Sequence, residues 1–582
     1  MKNKVINKKR DVKRSNIIAL IAGVLIIVLV NILGYFFFGR LDLTEDKRYT
    51  LSPTTKQILK QTNDVVFIRC YLEGDIPADF KRLRNETREL IHQFRAYDND
   101  IEYEFVNPNA IEDKKEQALL YQRLVEKGLQ PVLHQEEKQD GVVRQYIFPY
   151  AEVTYKGRTT VFSLLPQSNG TNEAGIINQA IQNLEYSLSC AIRQLSVPVK
   201  ERVAFLQGHG EWDPAYIWDF ASSLSDYYLV DTVTLNEQIS VLTDRIYDTV
   251  NPQNVRFRNK YKLLVVAKPQ TVFSYKDLFI LDQFVMRGGR ILWLIDAMSA
   301  SMDSLQSSAE TYAVANPTGL EEHLFRYGIR LNHQVIMDMQ SSEIPIITGV
   351  YNDQSPQYTF FPWHFFPEIS PRRGHIISEK ISPVRLEIAG TMDTVTSEAN
   401  KTILLTTSAR TRIMNTPALL SLKMASLPQD PRLYNQSFLP VAVLLEGKFS
   451  SVFKNRMTPE IENSAAIGFL DKCQDSSAMI VISDGDLVRN NFVNGQILPL
   501  GFDRYTKEMY GNKGFLLNCV NYLCGDKELI PLRSREVVLR KFNDVKLQEQ
   551  RSFWQVTNLT FPIGIMIVLG VTFSIIRKKK YS

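Results

Sequence analysis

KLLVVAKPQTVFSYKDLFILDQFVMRGGRILWLI, from Lys262 to Ile295, is the stretch whose pattern decides the fold. Its first run, KLLVVA, is short and apolar throughout, the composition of a strand buried on both faces. Leu278, Leu281, Phe284 and Val285 then recur at three- and four-residue spacing, which puts one apolar face on a helix from Tyr275 to Arg287. Gly288-Gly289 stops that helix, and RILWLI, Arg290 to Ile295, returns as a strand. Strand, helix and strand joined by short turns make a βαβ crossover, hence a parallel pair with a helix on its face.

Working outward, VAFL, Val203 to Leu206, is an earlier buried strand that runs into the turn GHGEWD, Gly208 to Asp213. Later strands are expected at Ile403–Thr407, Val441–Leu445 and Met479–Ser483, the last followed by Asp484-Gly485-Asp486. Residues 340–400 show little helical periodicity and are expected to be an insertion. The sum is a doubly wound, mostly parallel α/β domain over 200–540.

A second α/β unit precedes it. Val65–Leu72 is a strand, Phe80, Leu83, Thr87, Leu90 and Phe94 mark a helix, and Ile101–Val106 alternates as a second strand. Tyr146–Leu165 holds further strand-like runs, and Pro166–Gly175 is a loop. A long helix then gathers Ile177, Ile181, Leu184, Leu188, Ile192 and Leu195 on one face, with Glu185 and Arg193 largely on others. The pattern resembles a thioredoxin-like domain but lacks the redox motif, because Cys70 stands alone within a strand. Ser52 is placed to cap a helix that starts at Pro53. This stalk and domain fill 39–199, with the boundary near Pro198–Glu201.

The ends are of another kind. Ile17–Phe38 is uncharged and long enough to cross a bilayer, and Phe36–Phe38 with Arg40 stand where a signal peptide would need small residues. Leu559–Ile576 is a second uncharged run, reached through a return linker at 541–558 and preceded by Phe553 and Trp554. Basic tails at 1–16 and 577–582 flank the two spans on their terminal sides. The positive-inside rule therefore expects both termini in the cytoplasm and residues 39–558 on the other side.

Composition narrows the functional classes. The chain has 582 residues, 44% of them hydrophobic, which implies several folded units rather than disorder. Its net charge of +5 is carried by the basic ends, so the stretch between is mildly acidic and no nucleic-acid partner is indicated. Five scattered cysteines make neither a disulfide framework nor a zinc site.

Candidate contact residues follow from position. His209 and Glu211 lie beyond the carboxyl end of a strand, where α/β sheets bind ligands and where such a pair can act as acid and base. The glycine-rich turn favours a structural reading over ligand contact or catalysis, and a single histidine and carboxylate do not make a metal site. Asp484 and Asp486 occupy the same kind of position; they can hold a divalent ion but lack calcium-loop spacing, which favours a solvated turn. Trp363 centres the aromatic run YTFFPWHFF, Tyr358–Phe366, readable as an exposed partner patch or as a covered lid. No phosphate-binding loop, nucleophile elbow or H-E-x-x-H helix is present, so no catalytic residue, metal or cofactor is assigned.

The chain resembles the GldG family, gliding-motility-associated auxiliary components of ABC transporters. The resemblance rests on RLDLTEDKRYTLSPTT after the first span, NQAIQNLEYSLSCAIRQL, VAFLQGHGE, FVMRGGRILWLIDA, LPVAVLLEGKFSSVFKNR and MIVISDGDLVRNN, in that order. It implies a non-catalytic, substrate-binding-type subunit of the bacterial inner membrane with a periplasmic domain. Its partners would be a separate ABC ATPase subunit and a multi-span permease subunit, with an envelope protein or a ligand outside. Two rival readings are a membrane-anchored periplasmic hydrolase or transferase using His209, Glu211 and Asp484, and a structural envelope anchor with no transporter.

Overall fold

The computed structural model describes residues 17–18, 20–29, 50–111, 113–138, 141–165, 173–197, 199–247, 255–350, 356–371, 374–533 and 551–581. It separates into two units, Tyr49–Arg535 and the joined ends Met1–Arg48 with Glu536–Ser582.

Within the first unit, helix α1 (Pro53–Gln61) starts as expected, with the Ser52 hydroxyl accepting from the Thr55 N–H at 3.1 Å and proline in the first turn. Strand β1 (Val66–Cys70) leads to α2 (Ala78–Tyr97), which buries Phe80, Leu83, Ile91 and Phe94, and then to β2 (Ile101–Phe105), parallel to β1. Strands β3 (Tyr150–Tyr155) and β4 (Arg158–Ser163) complete a sheet of order β2-β1-β3-β4, in which β3 is antiparallel to both of its neighbours. Helix α3 (Glu173–Ser196) packs Leu184, Leu188, Ile192 and Leu195 into the same core. Glu185 corrects the helix reading: it is buried, and its carboxylate accepts from the Ser52 N–H and the Thr55 hydroxyl, both at 2.7 Å. A carboxylate with two donors from the α1 start can enter a core that an unpaired one cannot.

The second sheet is built from β5 (Arg202–Gln207), α4 (Trp218–Ser225), β6 (Leu229–Thr234), β7 (Leu263–Ala267), α5 (Tyr275–Met286) and β8 (Arg290–Leu294). A hairpin, β9 (Ser341–Val350) and β10 (Pro356–Ile369), intervenes before β11 (Asn400–Thr406), β12 (Pro440–Gly447) and β13 (Ser477–Ile482). Helix α6 (Asn512–Cys524) ends the series. The sheet order is β11-β12-β13-β8-β7-β5-β6, parallel from β13 to β6 and antiparallel at the β12 and β11 edge.

The continuous apolar runs reflect burial on both faces. Val203, Phe205, Val265, Leu292 and Ile480 face one core with α6, while Ala204, Leu206, Val266, Ile291 and Val481 face another with α5. Each of the larger of these side chains contributes roughly 1.5–3 kcal/mol of burial, and neither layer could be removed without exposing half of every strand. Because β6 and β7 lie on opposite sides of β5, the chain reverses direction across the sheet there. The β5 and β7 carboxyl ends are therefore the topological switch point.

The stretch near 340–400 is rich in strand. Ile344 pairs with Phe361 and Ile347 with Tyr358 in the β9–β10 hairpin, whose base shares a core with Met298, Leu305, Leu420 and Tyr434. In the second unit, α7 (Arg551–Tyr581) contains Phe553–Lys579, 27 residues long and apolar enough to cross a membrane, with Pro562 inside it. It extends the expected span at both ends. Leu20–Leu29 forms a shorter apolar helix, and most of the remainder of the expected first span lies outside the described residues.

Candidate functional site

Four strand ends meet at the carboxyl edge of the parallel sheet, and each is followed by a charged or polar turn: GHGEWD after β5, Lys268 after β7, Asp296 just beyond β8, and Asp484-Gly485-Asp486 beyond β13. The first of these turns needs its glycines. Gly208 and Gly210 have φ of 111° and 76°, and a Cβ on Gly208 would lie 2.7 Å from Thr234.

That backbone carries His209 inward, where it is buried and stacked on Phe273 with ring centroids 3.8 Å apart. Its Nε2 lies 3.2 Å from Asp277 Oδ2, and its Nδ1 faces Glu211 Oε1 at 3.5 Å. Glu211 also accepts from the His209 backbone N–H at 2.6 Å, and Asp277 from that of Glu237 at 2.9 Å. Burial alone would lower the His209 pKa, but Glu211 and then Asp277 outweigh it, and the pKa is raised. Nε2 is within hydrogen-bond distance of Asp277, whereas Nδ1 meets Glu211 only at ion-pair range and has no hydrogen-bond partner among the described residues.

The second cluster surrounds Lys268. Its ammonium lies 2.5 Å from Asp486 Oδ2 and 3.2 Å from Asp296 Oδ2. Burial opposes the charge, yet the two carboxylates raise the Lys268 pKa above its ordinary value. Asp484, fully buried, accepts from the Glu387 N–H at 2.8 Å and the Asp486 N–H at 2.7 Å, while Asp296 accepts from the Gly485 N–H at 2.5 Å. Burial first, then the neighbouring aspartates, holds the Asp484 carboxyl well above the usual range. The solvated-turn reading of Asp484-Gly485-Asp486 is thus corrected. Gly485 itself lets Lys268 pass, since a Cβ there would lie 2.6 Å from the Lys268 Cβ.

Among the described residues, Asp296, Asp484 and Asp486 are those that could hold a metal ion, with one oxygen from each within 4.8 Å of the others. Lys268 already provides a cation to two of them. Trp212 closes the clusters from above: its N–H donates to the Ala267 carbonyl at 3.1 Å and its indole N–H to the Gly485 carbonyl at 3.0 Å. Lys268 lies 5.0 Å and Arg489 4.8 Å from its ring.

The aromatic run divides. Trp363, Phe365 and Phe366 are buried at the hairpin base, whereas Tyr358 and Phe360 are 49% and 40% exposed further out. His209 and Glu211 share one cluster and Asp484 and Asp486 the other, while Trp363 belongs to a different core. Lys268 and Asp296 were not singled out in the sequence, although Lys268 directly follows β7, Asp296 lies two residues beyond β8, and the strand-end rule applies to them too. Asp277 gave no such signal, because only the folded helix α5 brings it to His209.

The fold and site define a class: an α/β protein with, among the described residues, one membrane-length helix, Phe553–Lys579, and a parallel sheet whose switch point is filled by its own side chains. The chain belongs to the family described as "ABC-type uncharacterized transport system", which matches residues 200–519. It is accordingly an auxiliary component associated with an ABC-type transport system. Residues 45–154 match a domain of unknown function, DUF7088. An uncharacterized protein of Borreliella burgdorferi is 20% identical over 535 residues, covering 90% of each chain. Among solved structures, the mmIFT52 N-terminal domain is 10% identical and matches over 55% of this chain and 96% of its own, with a TM-score of 0.29.

Proposed function

We propose that the protein is a non-catalytic subunit of a GldG-type ABC transporter complex, anchored in the bacterial inner membrane by a span at each end, with a thioredoxin-like domain and the larger α/β domain in the periplasm. The observation that carries the reading is the family match across the whole second sheet, residues 200–519. Its partners are a separate ABC ATPase and a multi-span permease against which the anchors pack. ATP-driven movement in those partners alters how the outer domains hold a ligand or an envelope protein. Such coupling requires different contacts in the two states.

In this reading the carboxyl-end face of the second sheet is the contact surface. His209, Glu211, Asp484 and Asp486 hold that surface from below, and Trp363 roots the hairpin that projects beside it. The ion pairs of His209 with Glu211 and Asp277, and of Lys268 with Asp296 and Asp486, bury these groups as internal supports, which favours a binding scaffold over the hydrolase alternative.

The experiment is purification of the tagged full-length protein from native membranes in mild detergent, with mass spectrometry and an ATPase assay. Recovery of an ABC ATPase and a permease, with vanadate-sensitive hydrolysis absent from the protein alone, supports the reading. Reproducible recovery of the protein alone overturns it.

A further inference from the structure

The Glu211–His209–Asp277 arrangement has a chemical requirement that its neighbours do not share. A neutral imidazole carries one N–H and one lone pair. Here one carboxylate oxygen lies 3.2 Å from Nε2 and another 3.5 Å from Nδ1, so a neutral ring must turn its lone pair towards one of them. Only the imidazolium presents an N–H to Asp277 and a positive charge to Glu211, whose Oε1 at 3.5 Å is an ion-pair contact rather than a hydrogen bond.

The charged groups around the ring are few. Glu211 comes from its own turn and Asp277 from α5, while Phe273 covers one ring face. Glu237, from the loop after β6, reaches Asp277 through its backbone N–H and places its own carboxylate 2.7 Å from the Lys276 ammonium. The imidazolium is thus the counter-charge shared by two buried carboxylates, and removing its proton leaves both without it.

The same residue joins two turns. The His209 carbonyl accepts from the Gln270 N–H at 2.8 Å and the Thr271 N–H at 3.0 Å, and the Gln270 side chain donates to the Gly210 carbonyl at 3.0 Å. These bonds tie the turn after β5 to the turn after β7 across the switch point.

We propose that His209 is a proton-operated latch: as an imidazolium it holds the Gly208–Asp213 turn against residues 268–273, and loss of its proton releases that turn from the sheet edge. The turn carries Trp212, whose ring lies over Lys268, so release uncovers the buried Lys268–aspartate cluster. The raised His209 pKa agrees in direction: the latch is closed below the ordinary histidine range and opens as pH rises through the elevated folded value. The inference stands apart from the transporter reading, because its test needs only this chain.

The test is hydrogen–deuterium exchange of the full-length protein in detergent from pH 5.5 to 8.5, corrected for the intrinsic rate. Peptides covering Gly208–Trp212 and Gln270–Thr271 are expected to lose protection by up to about tenfold per pH unit above the His209 midpoint, the limit for release of one proton. Peptides from β8 and β13 should stay flat over the same range. Glu211→Gln removes one carboxylate but keeps an acceptor for the His209 N–H, and it should move the onset to lower pH. Asp277→Asn should do the same should either variant fold poorly. Flat protection of both turns in the wild type, or an onset that neither variant moves, overturns the latch.

Discussion

Replacing Lys268 by methionine removes the only side-chain cation paired with Asp296 and Asp486 among the described residues while preserving most of the side-chain volume. At separations of 2.5 and 3.2 Å, the two gross attractions are about 7 and about 5 kcal/mol at an effective dielectric near 20. The cost of burying the ions offsets much of this, and removing one partner of a buried ion pair costs about 3–5 kcal/mol net. Lys268→Met is therefore expected to lose about that much stability at pH 8, and less at pH 5.5, where Asp486, whose carboxyl burial pushes up to about 7, can take up a proton instead. Urea titration of the full-length protein followed by tryptophan fluorescence reads the change, because the Trp212 ring lies 5.0 Å from the missing ammonium. The Lys268→Met/Asp486→Asn double variant should recover part of the loss, through a coupling of about 0.5–3 kcal/mol. A single variant as stable as the wild type at pH 8, within about 0.5 kcal/mol, would show that the ammonium does not neutralise the cluster.

Other consequences follow from the same geometry. Gly485→Ala pushes a methyl group into the Lys268 stem and should cost about 1–3 kcal/mol in the same titration. Glu185→Ala strands the Ser52 N–H and leaves the Thr55 hydroxyl only its serine partners Ser52 and Ser189, and a loss of about 1–3 kcal/mol is expected, read as an earlier thermal transition. Burial pushes the His323 ring down to about 4, so its folded-state pKa lies below the unfolded value. Its contribution is present above about pH 6.5 and is lost as pH falls towards 4, and His323→Phe should flatten that part of the stability profile. All five cysteines are free and buried, so a water-soluble thiol reagent should label none in the native protein and five after denaturation.

The second sheet was legible because its strands are apolar on both faces and its turns are marked by glycine, as Gly288-Gly289 shows between α5 and β8. Periodicity also placed the α2 and α3 faces. It could not place Glu185, whose polarity argues for solvent until α1, distant in sequence, supplies two donors. The strand-end rule found His209, Glu211, Asp484 and Asp486 and would equally have found Lys268 and Asp296. What it could not convey was their pairing. Whether a carboxylate after a strand meets water, a metal or a lysine depends on which strands become neighbours, and β13 reaches β8 only through the sheet order. The hairpin was missed for a related reason: β9 and β10 mix buried and exposed apolar residues, so the alternation that marks a half-buried strand is blurred.

The placement of β13 beside β8 sets the order in which the protein can be made. Ile291 pairs with Met479, and Trp293 with Val481, so the middle of the sheet stays open until almost the entire domain has been synthesised. Until then β8 presents an unpaired apolar edge, the kind of surface on which incomplete chains aggregate. Closure across so long a separation is slow, and the Phe553–Lys579 helix emerges only shortly after the strand that permits it. The cell must therefore shelter β8 from its own synthesis until that of β13, and a truncation between residues 295 and 476 should leave the second sheet open and the protein insoluble.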